Sequence, residues 1–230
     1  MPKTSILIIT LCKRTVDDAS SDETAEVCRN IAGIRYVRVE RNQRVAGARN
    51  IGILNSTGDY IAFLDDDDVR LAGSLDLQVA ALRAAPAAGL IYSQTLISDA
   101  PGDARVNVRN ATQSLAPEDF YRRHCPHGDV FWQLLEQNFI PCRAAVFRRS
   151  CLLRIGLLDQ SVPGIGDWDL WIRIAALYPV IALEQPVMVW RKSSPTSGQG
   201  TSTTRRRRSC NEATRGVAGV FEEYDESSRF

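Results

Sequence analysis

The run Tyr60-Ile61-Ala62-Phe63-Leu64 ends on four consecutive aspartates, Asp65, Asp66, Asp67 and Asp68. Its length and its apolar, aromatic content are those of a buried strand, so the chain must fold with a row of carboxylates at a strand end. Two unit charges about 6 Å apart repel by roughly 0.7 to 3 kcal/mol, depending on whether the local dielectric is that of water or near 20. A divalent cation turns that repulsion into attraction, and carboxylate oxygens suit hard ions such as Mg2+ or Mn2+. The plainer reading is a solvated acidic turn. The place after a strand, with other site-like segments around it, favours a site for a metal ion and a diphosphate.

The segments on either side alternate between strand and helix. Residues 5–10 are almost wholly apolar and read as a central strand, with further strands over 36–40 and 90–94. Helices are expected from Ser20 or Ser21, as cap, to about residue 29, over 45–55 despite Gly47 and Gly52, and over 75–85 before Pro86. Ser56-Thr57-Gly58-Asp59 is a turn into the aspartate-bearing strand. Later segments read as a loop over 98–113, helices over 117–123 and 130–137, a strand over 144–148, and a short helix over 150–155 closed by Gly156. A helix over 167–177 carries Trp168, Trp171, Ile172 and Ala175 on one stripe, and strands over 180–184 and 187–190 close the folded part. This alternation predicts an α/β fold with a mainly parallel central sheet flanked by helices. Ligands of such sheets bind at the carboxyl ends of the strands, which would gather Thr10, Asp18, Asp65, Asp66 and Asp67 on one edge.

The formal net charge of +1 gives no global field, which argues against a nucleic-acid partner. No apolar run reaches membrane-spanning length, and Met1-Pro2-Lys3-Thr4 does not open a secretory signal. The six cysteines include no C-x-x-C pair, which favours reduced thiols and a cytoplasmic protein. His124-Cys125-Pro126-His127 lacks a second ligand pair and reads as a loop. Residues 193–230 are expected to form a flexible basic and polar tail. Its run Arg205-Arg206-Arg207-Arg208 is a solvated segment on the plain reading. On the functional one it is a peripheral contact with anionic lipid at the inner face of the membrane, at about 1 kcal/mol per basic residue.

Five segments, over 16–22, 48–52, 58–68, 147–156 and 166–173, fall in one order along the chain, and in that order they resemble the motifs of the family 2 glycosyltransferases, which have the GT-A fold; the match covers roughly residues 3–192. Val16-Asp17-Asp18-Ala19-Ser20-Ser21-Asp22 resembles the loop that holds the nucleotide base. Ala48-Arg49-Asn50-Ile51-Gly52 resembles the family's A-R-N-x-G helix, and the segment from Gly58 to Asp68 resembles the one carrying the DXD motif. Phe147-Arg148-Arg149-Ser150 with Ile155-Gly156 is similar to its acceptor-side pattern. Gly166-Asp167-Trp168-Asp169-Leu170-Trp171-Ile172-Arg173 is similar to the segment carrying the catalytic base.

The resemblance implies a nucleotide-sugar half over 1–95 and an acceptor half over 96–192. It implies a nucleoside-diphosphate sugar donor, a glycan or lipid-linked acceptor, and a Mn2+ or Mg2+ cofactor. A metal held by Asp67 and Asp65 would stabilise the departing diphosphate. Asp66 would meet the ribose, Asp18 the base, and Thr10 the same nucleotide. Asp167 would act as general base on the acceptor hydroxyl, and one displacement gives inversion. Asp169 and Arg173, spaced i and i+4, are explained by an ordinary ion pair; the plain reading of Asp167 is a helix cap.

One departure from the family is expected. Only residues 11–15 separate Thr10 from Val16, too few for the usual parallel crossover of about 10 to 12 residues, so one N-terminal helix-strand unit is missing. The absence of a Q-x-x-R-W motif favours transfer of one sugar, in cell-surface polysaccharide or glycolipid synthesis, over processive synthesis. The alternatives are a catalytically impaired sugar- or nucleotide-binding relative, and a nucleotidyltransferase making nucleotide-sugars. The latter would favour a glycine-rich loop after the first strand, and 11–15 holds no glycine.

Overall fold

The computed structural model describes residues 5–9, 13–65, 68–98, 126–162 and 164–191. In chain order these form β1 (Ser5–Ile9), β2 (Lys13–Asp17), α1 (Thr24–Asn30), β3 (Arg35–Arg38), α2 (Arg44–Leu54), β4 (Tyr60–Asp65), β5 (Val69–Arg70), α3 (Ser74–Ala84) and β6 (Leu90–Ser98). There follow α4 (Phe131–Glu136), β7 (Ala145–Arg148), α5 (Leu152–Ile155), α6 (Gly166–Ala175) and β8 (Val180–Arg191), with 3-10 turns at Cys142–Ala144 and Arg149–Cys151. The expected helix over 117–123, most of the loop over 98–113 and the tail over 193–230 lie outside the described residues, as do Thr10, Asp66 and Asp67.

The described strands join in one sheet of order β3-β2-β1-β4-β7-β6-β8-β5. The α/β class is as expected, but the sheet is mixed rather than mainly parallel. Only β2–β3 and β6–β8 are parallel pairs, and the other five are antiparallel. The reason at the amino end is reach. Three residues separate β1 from β2; a parallel return needs a crossover, so only a hairpin is open to the chain. No helix therefore lies between β1 and β2, as the spacing predicts. The direction of β1 corrects a second expectation. Ile9 lies opposite Lys13 and Ala62, so the carboxyl end of β1 is on the far edge from Asp17 and Asp65, and the leading end of the strand, Ser5 and Ile6, sits beside them.

β2 is not apparent from its residues, because Arg14, Thr15 and Asp17 are polar and buried. Their partners lie far along the chain: the Arg14 Nε donates to the Asn55 carbonyl at 2.6 Å, and Asp17 is held by Tyr36 and Arg38 of β3. α1 starts at Thr24 without a side-chain cap; Ser20 lies ahead of it, its amide donating to Asp17 Oδ1 at 2.7 Å. The two closing strands are one strand, β8. Its pairing with β6 is irregular around Gln94 opposite Pro186, a place where the missing proline N–H does no harm.

Both faces of the sheet are covered, which is why its central strands read as continuous apolar runs. Ile61, Phe63, Leu90, Tyr92, Ala145 and Phe147 point to one face, where they pack with α2, α4 and α6 around the fully buried Trp171. The alternate residues Ala62, Ile91 and Val146 point to the other face, against Leu82 of α3. This period of two places successive side chains on opposite layers.

The end of β7 ties both layers together. Arg148 donates from Nε to Ala88 O at 2.8 Å and from Nη2 to Leu82 O at 2.6 Å, closing the end of α3. Arg149 donates to Gly58 O at 2.6 Å, to Ile53 O at 3.0 Å and to the Ser56 hydroxyl, closing the end of α2. The arginines of the R-R-S pattern are therefore helix caps in this chain, occupied by carbonyls. Arg149→Met takes a donor from the Gly58 and Ile53 carbonyls and from the Ser56 hydroxyl and is expected to destabilise the fold by about 2 to 3 kcal/mol. A urea melt reads this, with turnover per folded molecule unchanged; lost turnover in a stable variant would return Arg149 to the acceptor site.

Candidate active site

The amino end of β1 acts as a spacer between two acidic strand ends. Ile6 pairs with Val16 on one side and Asp65 on the other, so Asp17 and Asp18 leave the sheet on the same edge as Asp65, two strand spacings or roughly 10 Å away. Asp17 and Asp18 are both buried but differ in state. Both oxygens of Asp17 are taken: Oδ1 by the Ser20 amide, Oδ2 by the Tyr36 hydroxyl and by Arg38 Nη1 at 3.1 Å. Burial pushes this carboxyl up, but these hydrogen bonds and the Arg38 charge outweigh it and hold it below its ordinary value. Asp17 is thus a framework residue.

Asp18 is only half satisfied. Its Oδ1 accepts from the Gln43 amide at 2.6 Å at the start of α2, while Oδ2 is buried without a hydrogen-bond partner among the described residues. Burial pushes its carboxyl up, against the amides of Gln43 and Arg44, and Asp17 adds to the rise. Non-glycine residues with positive φ flank this contact, Ala19 at 62° and Arg44 at 60°. Such backbone costs on the order of 1 kcal/mol each and clusters at ligand sites. An aspartate oxygen left open in a buried place is an acceptor waiting for a donor.

The paired and open aspartates predict different acid behaviour. A carboxyl whose folded pKa is depressed contributes stability above its unfolded value, near 3.8 for Asp17, and loses it as pH falls through the folded value. Tyr36→Phe removes a donor to that carboxylate and is expected to lower stability by about 1.5 to 3 kcal/mol at neutral pH. The gap should narrow at acid pH, once the pH has fallen below the depressed folded value and Asp17 is protonated in both states. Equal destabilisation at neutral and acid pH would show that the lost contact is one of packing.

The second part of the site assembles from four elements around one guanidinium. Arg49 of α2 is buried, 6 % exposed, and lies over the Phe63 ring with its carbon 4.9 Å from the centroid. Its Nη2 is 3.1 Å from Asp65 Oδ1 at the end of β4, and its Nε has no hydrogen-bond partner. Burial works against its charge, but the Asp65 and Asp167 carboxylates around it hold it above the ordinary arginine value. Asp167, the second residue of α6, is pushed up by burial and by Asp65. The Arg49 charge and the amides of Trp168 and of Asp167 itself act the other way. Burial likewise pushes the Cys142 thiol up, so it stays protonated. A carboxylate raised above its ordinary value, beside a fixed cation, is suited to take a proton from a hydroxyl.

The acidic run divides. Asp68 points inward, with both oxygens within 3.2 Å of Arg143 Nη1, so it belongs to the framework. Asp65 is the described member that stays partly open, 34 % exposed, and its oxygen donors fit a hard divalent ion. Among the described residues no three His, Cys, Asp or Glu side chains are gathered into a metal-binding group. Asp169 is paired with Arg173 at 2.6 Å, as its spacing predicts, and Arg173 also holds Leu157 O at 3.0 Å. Sequence reasoning gave Arg49 no role of its own. The available signal is a single arginine among Gly47, Ala48 and Gly52 on a helix that packs on the sheet. A cavity of about 380 Å3 lined by Ala85, Ala88, His127, Pro179 and Val180 lies at the opposite sheet edge and takes no part.

Comparisons with known proteins agree on one family. The model of "Glycosyl transferase family 2" matches residues 15–154, more than half of the chain. An uncharacterized glycosyltransferase of Rickettsia felis is 27 % identical over 79 % of this chain, and the chain spans only 28 % of that relative's length. One of Rickettsia bellii is 39 % identical over 70 % of this chain and 21 % of its own. The S. aureus TarS 1-349 crystal structure aligns with a TM-score of 0.56 at 14 % identity, over 76 % of this chain and 50 % of that one. The mannosyltransferase PcManGT of Pyrobaculum calidifontis, in complex with GDP-Man and Mn2+, aligns at 0.53 and 20 % identity, over 80 % and 48 %. These likenesses show a GT-A-like fold, and with the match of the family model they lead to one assignment: the chain belongs to glycosyl transferase family 2.

Proposed function

We propose that this chain carries the catalytic domain of an inverting, metal-dependent glycosyltransferase. It moves one sugar from a nucleoside-diphosphate sugar to an acceptor hydroxyl, in polysaccharide or glycolipid synthesis. The observation that carries the reading is the convergence of Asp65 and Asp167, a hundred residues apart in sequence, on the buried Arg49, at the edge where Asp18 keeps an open oxygen. Family membership supports nucleotide-sugar chemistry. A 35 % identical relative over 27 % of the chain is a UDP-Glc-dependent glucosyltransferase of Escherichia coli acting on a diphosphoundecaprenol-linked sugar.

In this reading the open Asp18 oxygen accepts from an N–H of the nucleotide base, and Asp66 holds the ribose. Asp65 and Asp67 hold Mn2+ or Mg2+, which when bound offsets the charge of the departing diphosphate. Arg49 keeps Asp65 oriented and Asp167 ionised. Asp167 takes the proton of the acceptor hydroxyl as its oxygen attacks the anomeric carbon from the side opposite the diphosphate, which inverts that carbon. Action at the inner face of the membrane belongs to the same proposal. Among the described residues no helix is long and apolar enough to cross a membrane, and an anionic surface reached by the basic tail would bring a lipid-linked acceptor close.

The test is a panel of UDP-glucose, UDP-N-acetylglucosamine, UDP-galactose, GDP-mannose and dTDP-rhamnose, each with Mn2+ or with EDTA. A rise in melting temperature and release of nucleoside diphosphate with one donor, lost in EDTA, is the expected result. Stabilisation by a donor without release would favour the binding-only relative. No response to any donor would overturn the reading, and equal release in EDTA would overturn its metal.

A further inference from the structure

The A-R-N-x-G helix supplies a second residue whose geometry has no part in the proposal above. Asn50, next to Arg49, is buried, and its amide spans one peptide residue of a distant loop. Nδ2 donates to Leu158 O at 2.8 Å and Oδ1 accepts from Leu158 N at 3.0 Å. A side-chain amide carries a donor and an acceptor on one planar group, so it can give to and take from the same peptide residue. The loop it grips leads into α6, whose second residue is Asp167.

Two further features show that the grip is close. A Cβ on Gly47, one turn before Asn50, would meet Gln160 Oε1 of the same loop at 3.0 Å. A Cβ on Gly166, at the start of α6, would lie 3.6 Å from Ala46 Cβ of α2. From the other side, Arg173 of α6 reaches back to Ile155 O and to Leu157 O. The loop is clamped by α2 on one flank and by α6 on the other. Successive helix residues point about 100° apart, so one turn of α2 can present Arg49 to the acidic cluster and Asn50 to the loop that positions it.

We propose that Asn50 is a positioning residue for Asp167: its amide fixes the approach of α6 to α2 and so sets the Asp167 carboxylate against Arg49. This rests on the reading of Asp167 as the base. A side chain that only supports folding would lower the active fraction in any background, whereas one that acts through Asp167 loses its effect once Asp167 no longer takes a proton.

The experiment is a double-mutant cycle on donor hydrolysis with Mn2+, using whichever of the five nucleotide-sugars turns over fastest. Asn50→Ala is expected to lower kcat by about 10-fold or more, with the affinity for UDP or GDP measured by calorimetry within about two-fold of the parent. In an Asp167→Asn background the same change should cost less than about two-fold. Hydrogen exchange should show the Leu158 amide protected in the parent and released in the variant. Equal loss from Asn50→Ala in both backgrounds, or an unchanged kcat, overturns the proposal. If Asp167→Asn alone keeps full turnover, it is the assignment of the base that fails. Should Asn50→Ala not fold, Asn50→Asp keeps the volume and the acceptor for Leu158 N–H and carries the same cycle, with an intermediate loss expected.

Discussion

Asp167→Asn is expected to lower kcat by about 100-fold or more while donor affinity is nearly kept. The substitution preserves shape, so the fold should survive it, and it replaces the carboxylate that takes the acceptor proton by an amide that is not basic near neutral pH. Burial raises the Asp167 carboxyl while Arg49 opposes the rise, so the acid limb of kcat against pH should lie above the ordinary carboxylate range. Protonation from below that limb switches the base off. Asp169→Asn is the control. It weakens a link to Arg173 and hence the loop behind α6, so it should cost about 1 to 3 kcal/mol of stability with turnover per folded molecule retained. Normal turnover in Asp167→Asn with loss in Asp169→Asn would exchange the two roles.

Asp67→Asn is expected to abolish the Mn2+ dependence of nucleoside-diphosphate binding and to weaken that binding by about 10- to 100-fold or more. This is at least the scale seen when partners outside a metal's own ligand set are removed. Asp67 lies outside the described residues, so the expectation rests on the strand-end run itself. Asp68 is consumed by Arg143 and Asp65 shares one oxygen with Arg49, which leaves the middle of the run to carry the ion. Calorimetry of UDP or GDP with Mn2+ and with EDTA measures it. Unchanged affinity and unchanged metal dependence would show that the acidic run serves only the fold.

Much of the scaffold is legible because it follows local periods. The apolar 60–64 run, the Trp168/Trp171/Ile172/Ala175 stripe and the Asp169–Arg173 spacing each carry their structure within one or two turns of chain. What is not legible depends on partners far away. Nothing near Lys13–Asp17 announces a strand, because Arg14 and Asp17 are satisfied by Asn55, Tyr36 and Arg38. Arg148 and Arg149 look like surface or acceptor-binding residues until the ends of α2 and α3 arrive beside them. The mainly parallel sheet fails for the same reason: strand direction is set by short links and distant pairings, and hydrophobic pattern does not encode it. The candidate site was legible in its carboxylates, Asp18, Asp65 and Asp167, and not in the cation that unites two of them.

The helix caps supplied by Arg148 and Arg149 also fix an order of events on the ribosome. Both α2 and α3 are complete in sequence by residue 84, yet the guanidinium donors that reinforce their last turns come from 148 and 149. At 5 to 20 residues per second, roughly 3 to 13 seconds of synthesis separate the helices from their caps. During that interval β4 also lacks β7, the neighbour on its second edge. This part of the nascent chain therefore carries an open strand edge and two helix ends held only by their own turns. It closes only when the arginine pair emerges.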